Sequence, residues 1–371
     1  MKDELTYKIA LGMVPKVSAT VVRRMEDAGV SLEDFFRMDI LSLSDALGLN
    51  SKTGFSSADR EQALQRAKGE AEFVMRHNVK VLSLLSDDYP WLLSETTDAP
   101  VTLYMLGDTN LNAKESISIV GTRRFTQYGL DFTRKLLQDL GAYFPELLVV
   151  SGLAFGVDAA AHNGALENRL PTVGVVAHGL ATIYPSAHRD LARKMLNSGG
   201  ALLSEYPSAE TPFRARFLER NRIVAGLTQL TAVIESPVKG GAMSTANLAF
   251  NYNRDVMALP GRVTDEASAG CNHLIRKEKA HLLTAAADII EQMGWEPMGV
   301  KVTPKQRNLF PEMSGLSKQI HELLKYEAAP IPLDVIHNRL NVKISELMST
   351  LTELEFDGLI TRHPGNRYSL I

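Results

Sequence analysis

An arginine-rich segment between Phe213 and Arg222 reads FRARFLERNR and surrounds one aromatic residue, Phe217, with positive charge. Arginines bind phosphates and an aromatic ring stacks on any base, so a cationic groove that carries such a ring is typical of proteins that hold single-stranded nucleic acid. The same residues also fit a solvated turn that begins a helix, and the segment alone leaves both interpretations open. The arginines are Arg214, Arg216, Arg220 and Arg222.

The charge of this segment opposes that of the whole chain. The chain has 371 residues, with 40 Lys and Arg against 43 Asp and Glu, so its formal net charge is -3. Within 212–222 only Glu219 offsets the four arginines. A nucleic-acid binder needs a basic stripe rather than a basic composition. Arginines scattered over separate faces, or held in internal ion pairs, would contradict this interpretation.

Length and composition indicate a globular protein of two or three domains. The chain is 45% hydrophobic and 22% charged, which is average for a soluble protein. Its one cysteine, Cys271, excludes an intramolecular disulfide framework and a cysteine-rich zinc site. The start, MKDEL, is acidic where a secretory signal would be basic, and no apolar run approaches the length of a membrane span. We therefore expect a cytoplasmic protein with no membrane partner.

Residues 1–80 are predicted to form a small helical domain, because short helical stretches alternate with Gly and Ser there. The passage LGMVPKVSATVVRRMEDAG (11–29) loosely resembles half of a helix-hairpin-helix unit, so we expect a SAM or helix-hairpin-helix type of domain. Pro15 and Lys16 replace the second glycine of that hairpin, which favours a packing role over DNA contact. The predicted helices are Glu4–Leu11, Ser18–Ala28, Leu32–Phe36, Ser42–Ala46 and Ser57–His77.

Residues 81–300 are predicted to form an α/β domain, because short apolar runs alternate there with helical stretches, the signature of a parallel sheet covered by helices. Ligands of such sheets bind beyond the carboxyl ends of the strands. The predicted strands are 117–121, 147–152, 172–177, 201–206, 231–236 and 255–261. The predicted helices are Gly129–Leu140, Asp158–Glu167, His188–Leu196, Arg220–Gly226, Met243–Tyr252 and the stretch that ends at Gly294.

Three loops at these strand ends carry small residues, in VGTRR (120–124), SGLAFGVD (151–158) and SPVKGGAMSTAN (236–247). Small residues let backbone N–H groups approach an anion, and the helix that follows directs its positive end at the same place. Together the loops could hold phosphates. Neither a GxxxxGK[ST] string nor a strict GxGxxG fingerprint is present, so ATP hydrolysis and NAD binding are unsupported. We expect no cofactor and no metal.

These residues make the chain resemble the DNA-processing protein A family (DprA, also called Smf) over about residues 80–290. The strings IVGTRR, SGLAFGVDAAAH, HGLATIYP, LLSEYP, RFLERNRIVAGL, KGGAMSTANLA, VMALPG and GCNHLIR occur in the order found in that family. The resemblance implies an extended Rossmann-like domain that binds single-stranded DNA, protects incoming DNA, forms a homodimer and loads the RecA recombinase during natural transformation. It implies no chemical turnover, so the protein is not expected to be an enzyme.

The resemblance also implies which residues bind DNA. It puts Arg123 on a phosphate, with Arg214 and Phe217 beside it. The remaining residues of the expected rim are Arg220, Arg222, Lys239, Gly240, Gly241 and Ser244. The family often has proline and alanine where this chain has Leu218 and Glu219, and the glutamate weakens the local field.

A dimer interface is implied near GCNHLIR and the apolar stretch that follows. Its candidate residues pack the last helix on the sheet equally well, so both interpretations stay open for each. They are His273, Leu274, Ile275, Leu282 and Leu283.

Two enzymatic functions are alternatives to DNA binding. Ser151, Asp158 and His162 are nucleophile, acid and base types, yet an aspartate near a helix start is stabilised by the dipole and a histidine can simply pack, so structural roles are favoured. His178 and Cys271 receive the same structural interpretation. The second alternative is a nucleotide phosphoribohydrolase of the LOG or lysine-decarboxylase-like class. That class uses a PGGxGTxxE loop, whereas 237–250 contains no glutamate after its glycines.

The tail is predicted to contain a linker at 301–315 and a winged helix at 316–371. The prediction rests on three amphipathic helices, Ser317–Ala328, Leu333–Leu340 and Ile344–Gly358, followed by two strands around a Pro-Gly turn. The third helix has one lysine against four acids, a net charge of -3 that would repel phosphates. We expect it to contact protein or pack. This leaves Arg362, His363 and Arg367 of the wing as candidate DNA contacts.

Overall fold

A computed structural model of the chain describes residues 2–49, 54–298, 315–325, 327 and 329–370. Residues 1–298 and 299–371 form two compact units. The linker predicted at 301–315 lies outside the described residues, apart from Gly315.

Five helices begin the first unit, as the sequence predicts. Side chains that accept from the helical backbone start three of them, since Ser31 and Ser56 form capping boxes with Asp34 and Asp59, and Asp39 caps a third helix. The apolar side chains of these helices pack in one hydrophobic core with side chains from one face of the sheet that follows. The helices are α1 (Lys2–Met13), α2 (Ala19–Asp27), α3 (Leu32–Arg37), α4 (Ile40–Ala46) and α5 (Ser57–Arg76).

A nine-stranded sheet follows, in the order β1-β2-β6-β5-β4-β3-β7-β8-β9. The six predicted strands are β3 to β8, and they are mutually parallel. The sequence prediction missed β1, β2 and β9, and β2 pairs antiparallel with both β1 and β6. The strands are β1 (Lys80–Ser83), β2 (Thr102–Gly107), β3 (Ser116–Val120), β4 (Leu148–Ser151), β5 (Thr172–Val175), β6 (Ala201–Ser204), β7 (Leu230–Val233), β8 (Asp255–Ala258) and β9 (His281–Leu282).

Helices cover both faces of the sheet, so the central strands are apolar on both sides. Within β4, Leu148 and Val150 join one hydrophobic core and Val149 joins the other, because successive side chains of a strand alternate between faces. No helix in the described parts of the chain is both long and apolar enough to cross a membrane. The covering helices are α6 (Trp91–Ser94), α7 (Gln127–Tyr143), α8 (Val157–Glu167), α9 (Arg189–Asn197), α10 (Arg214–Gly226), α11 (Gly241–Asn251), α12 (Ala269–Arg276) and α13 (Ala286–Met293).

The strand order reverses between β3 and β7. From β3 the chain proceeds to β4, β5 and β6 on one side, whereas β7, β8 and β9 lie on the other. The loops that leave β3 and β7 therefore diverge and open a crevice, which is where open α/β sheets bind ligands.

The second unit is a winged helix, as predicted. Three helices and a three-stranded sheet in the order β10-β12-β11 enclose a separate core that includes Ile320, Ile336 and Tyr368. The acidic side chains predicted on its third helix are exposed, among them Glu346 and Glu353. The elements are α14 (Leu316–Lys325), β10 (Ile331–Pro332), α15 (Leu333–Leu340), α16 (Ile344–Phe356), β11 (Ile360–His363) and β12 (Arg367–Leu370).

Candidate nucleic-acid interface

A cleft of about 380 Å³ lies at the reversal point between β3 and β7. The three small-residue loops meet there, and one side of α10 completes the wall. The residues that line the cleft include Arg123, Gly152, Asp158, Phe217, Arg220 and Gly240.

The loop that carries Arg123 is held by a buried carboxylate. Glu235, which is 1% exposed, accepts hydrogen bonds from the backbone N–H of Thr126 at 2.8 Å and from its hydroxyl at 2.5 Å. The backbone carbonyl of Glu235 accepts from the N–H of Thr122 at 2.6 Å. These bonds tie the loop after β3 to the end of β7, so the backbone of Arg123 is fixed although its side chain is exposed.

Arg123 and Phe217 meet at the mouth of the cleft. The guanidinium carbon of Arg123 lies 6.0 Å from the centre of the Phe217 ring, within the range of a cation–π contact. Tyr184, which is half-exposed, packs edge-on against Phe217 with ring centres 5.8 Å apart. The mouth therefore combines a positive charge with a supported aromatic ring.

The floor of the cleft carries two buried, opposite charges. Arg220 is 5% exposed and Asp158 is 8% exposed. The side chains of both approach Gly152 so closely that a Cβ atom there would overlap them. Arg220 donates through Nη1 to the carbonyl of Val175, and Asp158 accepts from the N–H of Ala154 at 3.2 Å. Gly152 is required because any larger residue would displace one of the charges.

The electrostatics of the floor follow from burial. Burial raises the pKa of Asp158, and the charge of Arg220 acts in the opposite direction. Burial also lowers the pKa of Arg220, while Asp158 acts to raise it. Removing either side chain would leave the other charge buried without its counter-charge.

The start of α11 forms the third wall. Gly240 and Gly241 line the cleft, and open space surrounds the position that a Cβ atom of Gly241 would occupy. The first N–H groups of an α-helix have no partner within the helix, so this terminus suits an anion. Lys239 is exposed beside these glycines, and Ser244 is half-buried one turn further on, where Thr245 rather than Ser244 lines the cleft.

The remaining arginines of the 213–222 segment do not line the cleft. Arg222 forms an ion pair with Glu205, and Arg216 pairs with Glu210 at 2.7 Å while its guanidinium carbon lies 4.7 Å from the centre of the Tyr206 ring. Arg214 is exposed at the first position of α10.

Five of the nine residues expected to bind DNA line the cleft, namely Arg123, Phe217, Arg220, Gly240 and Gly241, whereas Arg214, Arg222, Lys239 and Ser244 do not. Arg220 lies at the floor, and Arg222 is held away from the cleft by Glu205. The helix predicted from Arg220 begins six residues earlier, at Arg214, and its four arginines have different surroundings. Because Arg216 and Arg222 are held in ion pairs, the segment does not form the continuous basic stripe that its sequence predicts, and only Arg220 of the four lines the cleft.

The sequence does not predict some residues that line the cleft or pack against its lining. The sequence indicates only a helix-start or acidic role for Asp158, and it does not assign Tyr184 or Arg124 to the site. The string SGLAFGVD contains the relevant signal, because an acid six residues after a strand-end glycine lies on the first turn of the next helix. Nothing in the linear sequence indicates that Tyr184 packs on Phe217, since that contact depends on how two separate loops fold together.

The candidate catalytic residues occupy structural positions. The hydroxyl of Ser151 donates to the carbonyl of Ile119 at 2.6 Å, and His162 contacts Thr172 at 2.7 Å and the carbonyl of Gly152 at 2.6 Å. Burial lowers the pKa of His162 to about 4 and raises that of Cys271 to about 12. His162 is therefore neutral near pH 7, and Cys271 is a protonated thiol.

The candidate dimer residues divide into two groups. Leu274 and Leu283 are 1% and 0% exposed and pack in the two hydrophobic cores of the sheet unit. Leu282 is 50% exposed on β9, the last strand of the sheet, and His273 and Ile275 are partly exposed on α12.

Comparison with known proteins gives two matching family profiles. The family described as DNA recombination-mediator protein A matches residues 80–294, and the DprA winged helix domain matches residues 304–366. The chain is 40% identical over 210 residues to DNA processing protein DprA of Streptococcus pneumoniae, which covers 57% of this chain and 73% of that protein.

Two solved structures resemble this fold. The X-ray structure of DprA from S. pneumoniae has a TM-score of 0.64 and 32% identity, and the match covers 77% of this chain and 97% of that one. DNA processing protein A from Helicobacter pylori has a TM-score of 0.52 and 30% identity, with coverage of 58% and 95%, and its structure is described as giving insight into a unique single-stranded DNA binding mode.

Proposed function

The chain belongs to the DNA recombination-mediator protein A family, and we propose that it binds single-stranded DNA in the cleft between β3 and β7 without breaking bonds in it. The observation that carries this proposal is the pairing of Arg123 with Phe217 at the mouth of a cleft whose other walls are glycine-rich loops. A phosphate contact and a stacking surface side by side match one nucleotide of a strand.

The geometry favours an unpaired strand over a duplex. Phe217 can stack only on a base whose face is free, and a base inside a duplex is already stacked on its neighbours. The contacts available to phosphate come from Arg123 and from the N–H groups that begin α11, with Lys239 beside them. None of these reads a base edge, so we expect little sequence preference.

Equilibrium binding of a fluorescent oligo-dT to wild type, Arg123→Ala and Phe217→Ala tests the proposal. We expect Phe217→Ala to weaken binding by roughly tenfold, since stacking contributes about 1–3 kcal/mol per base. Arg123→Ala should weaken it by a similar factor at low salt. Duplex DNA of the same length should bind weakly to all three proteins.

Matched surface variants control for loss of charge or of an exposed ring. Arg37 is exposed on α3, and Phe250 is exposed on α11, where it contacts Lys279. Arg37→Ala and Phe250→Ala should retain wild-type affinity. Equal losses in the control and cleft variants, or wild-type affinity in both cleft variants, would refute the cleft as the binding site.

The finer function proposed is protection of incoming single-stranded DNA and loading of RecA during natural transformation. Family membership supports this role, because a recombination mediator must hold the strand and pass it to the recombinase. RecA filament growth on oligo-dT covered by single-strand binding protein measures the step. We expect wild type to accelerate growth and Arg123→Ala to fail, whereas no acceleration by wild type would contradict the proposal.

A homodimer is also proposed, formed at the β9 edge of the sheet. Leu282 supports it, since half of this apolar side chain is exposed on the edge strand. Two clefts in one dimer would bind a long strand more tightly through effective concentration. Sedimentation of wild type and Leu282→Glu tests the interface, and a monomeric wild type would contradict it.

One assay separates this function from nucleotide hydrolysis. The α11 segment that would carry the acid of a phosphoribohydrolase has Asn247, whose side chain donates to the carbonyl of Met243 at 2.7 Å and accepts from Lys279 at 2.8 Å. Incubation with nucleoside monophosphates should release no free base. Release at a steady rate would favour the hydrolase.

A further inference from the structure

Asp158 balances the charge of the buried Arg220, but phosphate binding alone does not explain why its carboxylate lines the cleft. Its carboxylate lines the cleft, is 8% exposed and lies beside Gly152 and Arg220. A buried negative charge repels phosphate, and the effect is strong where water is excluded. A cleft that served only the phosphates of a strand would bind them better with a neutral residue at this position.

An ionised carboxylate accepts hydrogen bonds and cannot donate, so a ligand that suits Asp158 must bring a donor. The sugar of an internal deoxynucleotide offers none, because both of its oxygens outside the ring are esterified to phosphate. A nucleotide at the 3′ end of a strand has a free 3′-hydroxyl, and so does a free deoxynucleoside monophosphate. A carboxylate that accepts from a sugar hydroxyl is a recurrent device in the crevice of α/β sheets.

The positions of Phe217, the start of α11 and Asp158, from the mouth of the cleft to its floor, place the sugar hydroxyl of a bound nucleotide next to Asp158. Phe217 contacts the exposed Arg123 and Tyr184, so a base stacked on this ring lies at the mouth. Phosphate fits the N–H groups that begin α11. The buried floor, where Asp158 and Arg220 lie, is then left for the sugar. A volume of about 380 Å³ is small for a ligand pocket and suits one nucleotide.

We propose that the cleft binds a terminal deoxynucleotide, one that carries a phosphate on its 5′ oxygen and a free 3′-hydroxyl that donates to Asp158. The inference rests on the proposed binding of single-stranded DNA and adds a preference for a 3′ end. Two sources share this chemistry, the 3′ end of a strand and a free mononucleotide. Asp158 acts as a specificity residue, and no bond is formed or broken.

The test compares two hexamers of dT, labelled at the 5′ end, that differ by a single oxygen. One ends in a 3′-hydroxyl and the other in a 3′-deoxy sugar. Wild-type protein should bind the 3′-hydroxyl hexamer about tenfold more tightly, the smallest effect expected of a hydrogen bond to a charged group. An internal phosphate site would bind both equally.

Asp158→Asn isolates the role of the carboxylate. Because a neutral hydrogen bond is roughly half as strong as a charge-assisted one, the tenfold preference should fall to about threefold or less. The affinity for the 3′-deoxy hexamer should rise, since a negative charge has been removed from the cleft. A merely structural aspartate would lower both affinities together and leave their ratio unchanged.

Asp108→Asn is the matched control. Asp108 is exposed and follows Gly107, which pairs with the first residue of β6, so it lies at the edge of the sheet opposite the cleft. This variant removes the same charge and should keep the wild-type ratio. If Asp158→Asn does not fold, the affinities of the wild-type protein for the two hexamers are sufficient to test the terminal site.

Competition distinguishes the two sources. Displacement of the labelled 3′-hydroxyl hexamer by dTMP, but not by its 3′-deoxy analogue, would assign the site to free nucleotides as well as to strand ends. Without such displacement, a tenfold difference between hexamers assigns it to strand ends. Tight binding of an rU hexamer with a 3′-deoxy end would instead indicate a 2′-hydroxyl donor and refute the inference.

Equal binding of the two hexamers by wild type, with no discrimination between dTMP and its 3′-deoxy analogue, would overturn the terminal site. The proposed function would survive that result, because both hexamers would still bind. Failure of wild type to bind either hexamer would refute the proposed function and the terminal site together.

Discussion

The arginine segment 213–222 and the three small-residue loops differ in how much charge they carry and in where that charge lies relative to the cleft. The segment has four arginines in ten residues, yet two of them are held in ion pairs with Glu205 and Glu210. The loops carry few charges, yet their backbones meet at the reversal of the sheet and place Arg123 at the mouth of the cleft. Charge density along a chain thus says less about a binding site than the place where strands end.

The largest effect is expected from Gly156→Ala, which disturbs the junction of two loops. Gly156 has φ of 83°, and a Cβ atom there would overlap the backbone of Thr122 and Arg123. We expect a loss of about 2–4 kcal/mol in the free energy of unfolding and a large loss of single-strand affinity. Urea unfolding and oligo-dT titration measure both.

Gly199→Ala is the control for Gly156→Ala. Gly199 has φ of 77° and open space where a Cβ atom would lie, so the substitution strains the backbone without a clash. It should cost about 1 kcal/mol and leave affinity unchanged. Equal effects of the two substitutions would show that contact between the loops is unimportant.

The next effect is expected from Arg222→Ala, which separates stability from binding. Glu205 is mostly buried, and burial raises its pKa while Arg222 opposes that shift. Removing Arg222 should lower the free energy of unfolding by about 2 kcal/mol because the carboxylate loses its partner. Single-strand affinity should change little. A tenfold loss of affinity without loss of stability would indicate instead that Arg222 contacts DNA.

A pH effect of similar size is expected at His162, which hydrogen bonds to the loop at Gly152. Burial lowers its pKa from 6.5 to about 4, so the unfolded chain binds more protons than the folded one between these values. Stability is therefore fully present above pH 6.5 and falls as the pH decreases. Between pH 7.5 and 5.0 wild type should lose about 2 kcal/mol from this group.

His162→Gln should remove that dependence, as urea unfolding at the two pH values would show. Burial also lowers the pKa of His178, but that residue contributes equally to both proteins and cancels in the comparison. An identical pH dependence in wild type and variant would contradict the burial of a neutral His162.

The smallest effect is expected from deletion of residues 305–371, most of the winged-helix unit. The exposed acids of α16 repel phosphates, so this unit should add little to single-strand binding, changing the affinity by less than about twofold. Titration of oligo-dT with the shortened protein measures this. A tenfold loss would assign DNA contacts to the wing, at Arg362, His363 and Arg367.

The sequence predicts the parallel core of the sheet because its strands are short, apolar and buried on both faces. It misses β9 because that strand has only two residues, and it misses β1 and β2 because antiparallel strands lack the alternation with helices that marks the rest. The sequence also predicts the cleft loops, because three small-residue loops follow strands of one parallel sheet, although each loop alone fits a tight strand-to-helix turn equally well.

Side-chain partners within the site could not be predicted. Glu205 lies before the arginine segment along the chain, but its pairing with Arg222 depends on how β6 faces α10. Burial of Arg220 beside Asp158 depends equally on packing, since both belong to helices that meet only in the folded protein. Family resemblance supplied the residue types of the site but not these contacts.

The salt dependence of oligo-dT affinity in Arg123→Ala and Arg216→Ala tests the central claim most directly. Each variant removes one arginine, from the cleft mouth in one case and from an ion pair with Glu210 in the other. If the cleft holds the strand, Arg123→Ala lowers the slope of log affinity against log salt by about 0.7, and Arg216→Ala leaves it unchanged. An unchanged slope in Arg123→Ala together with a lower slope in Arg216→Ala would contradict the claim.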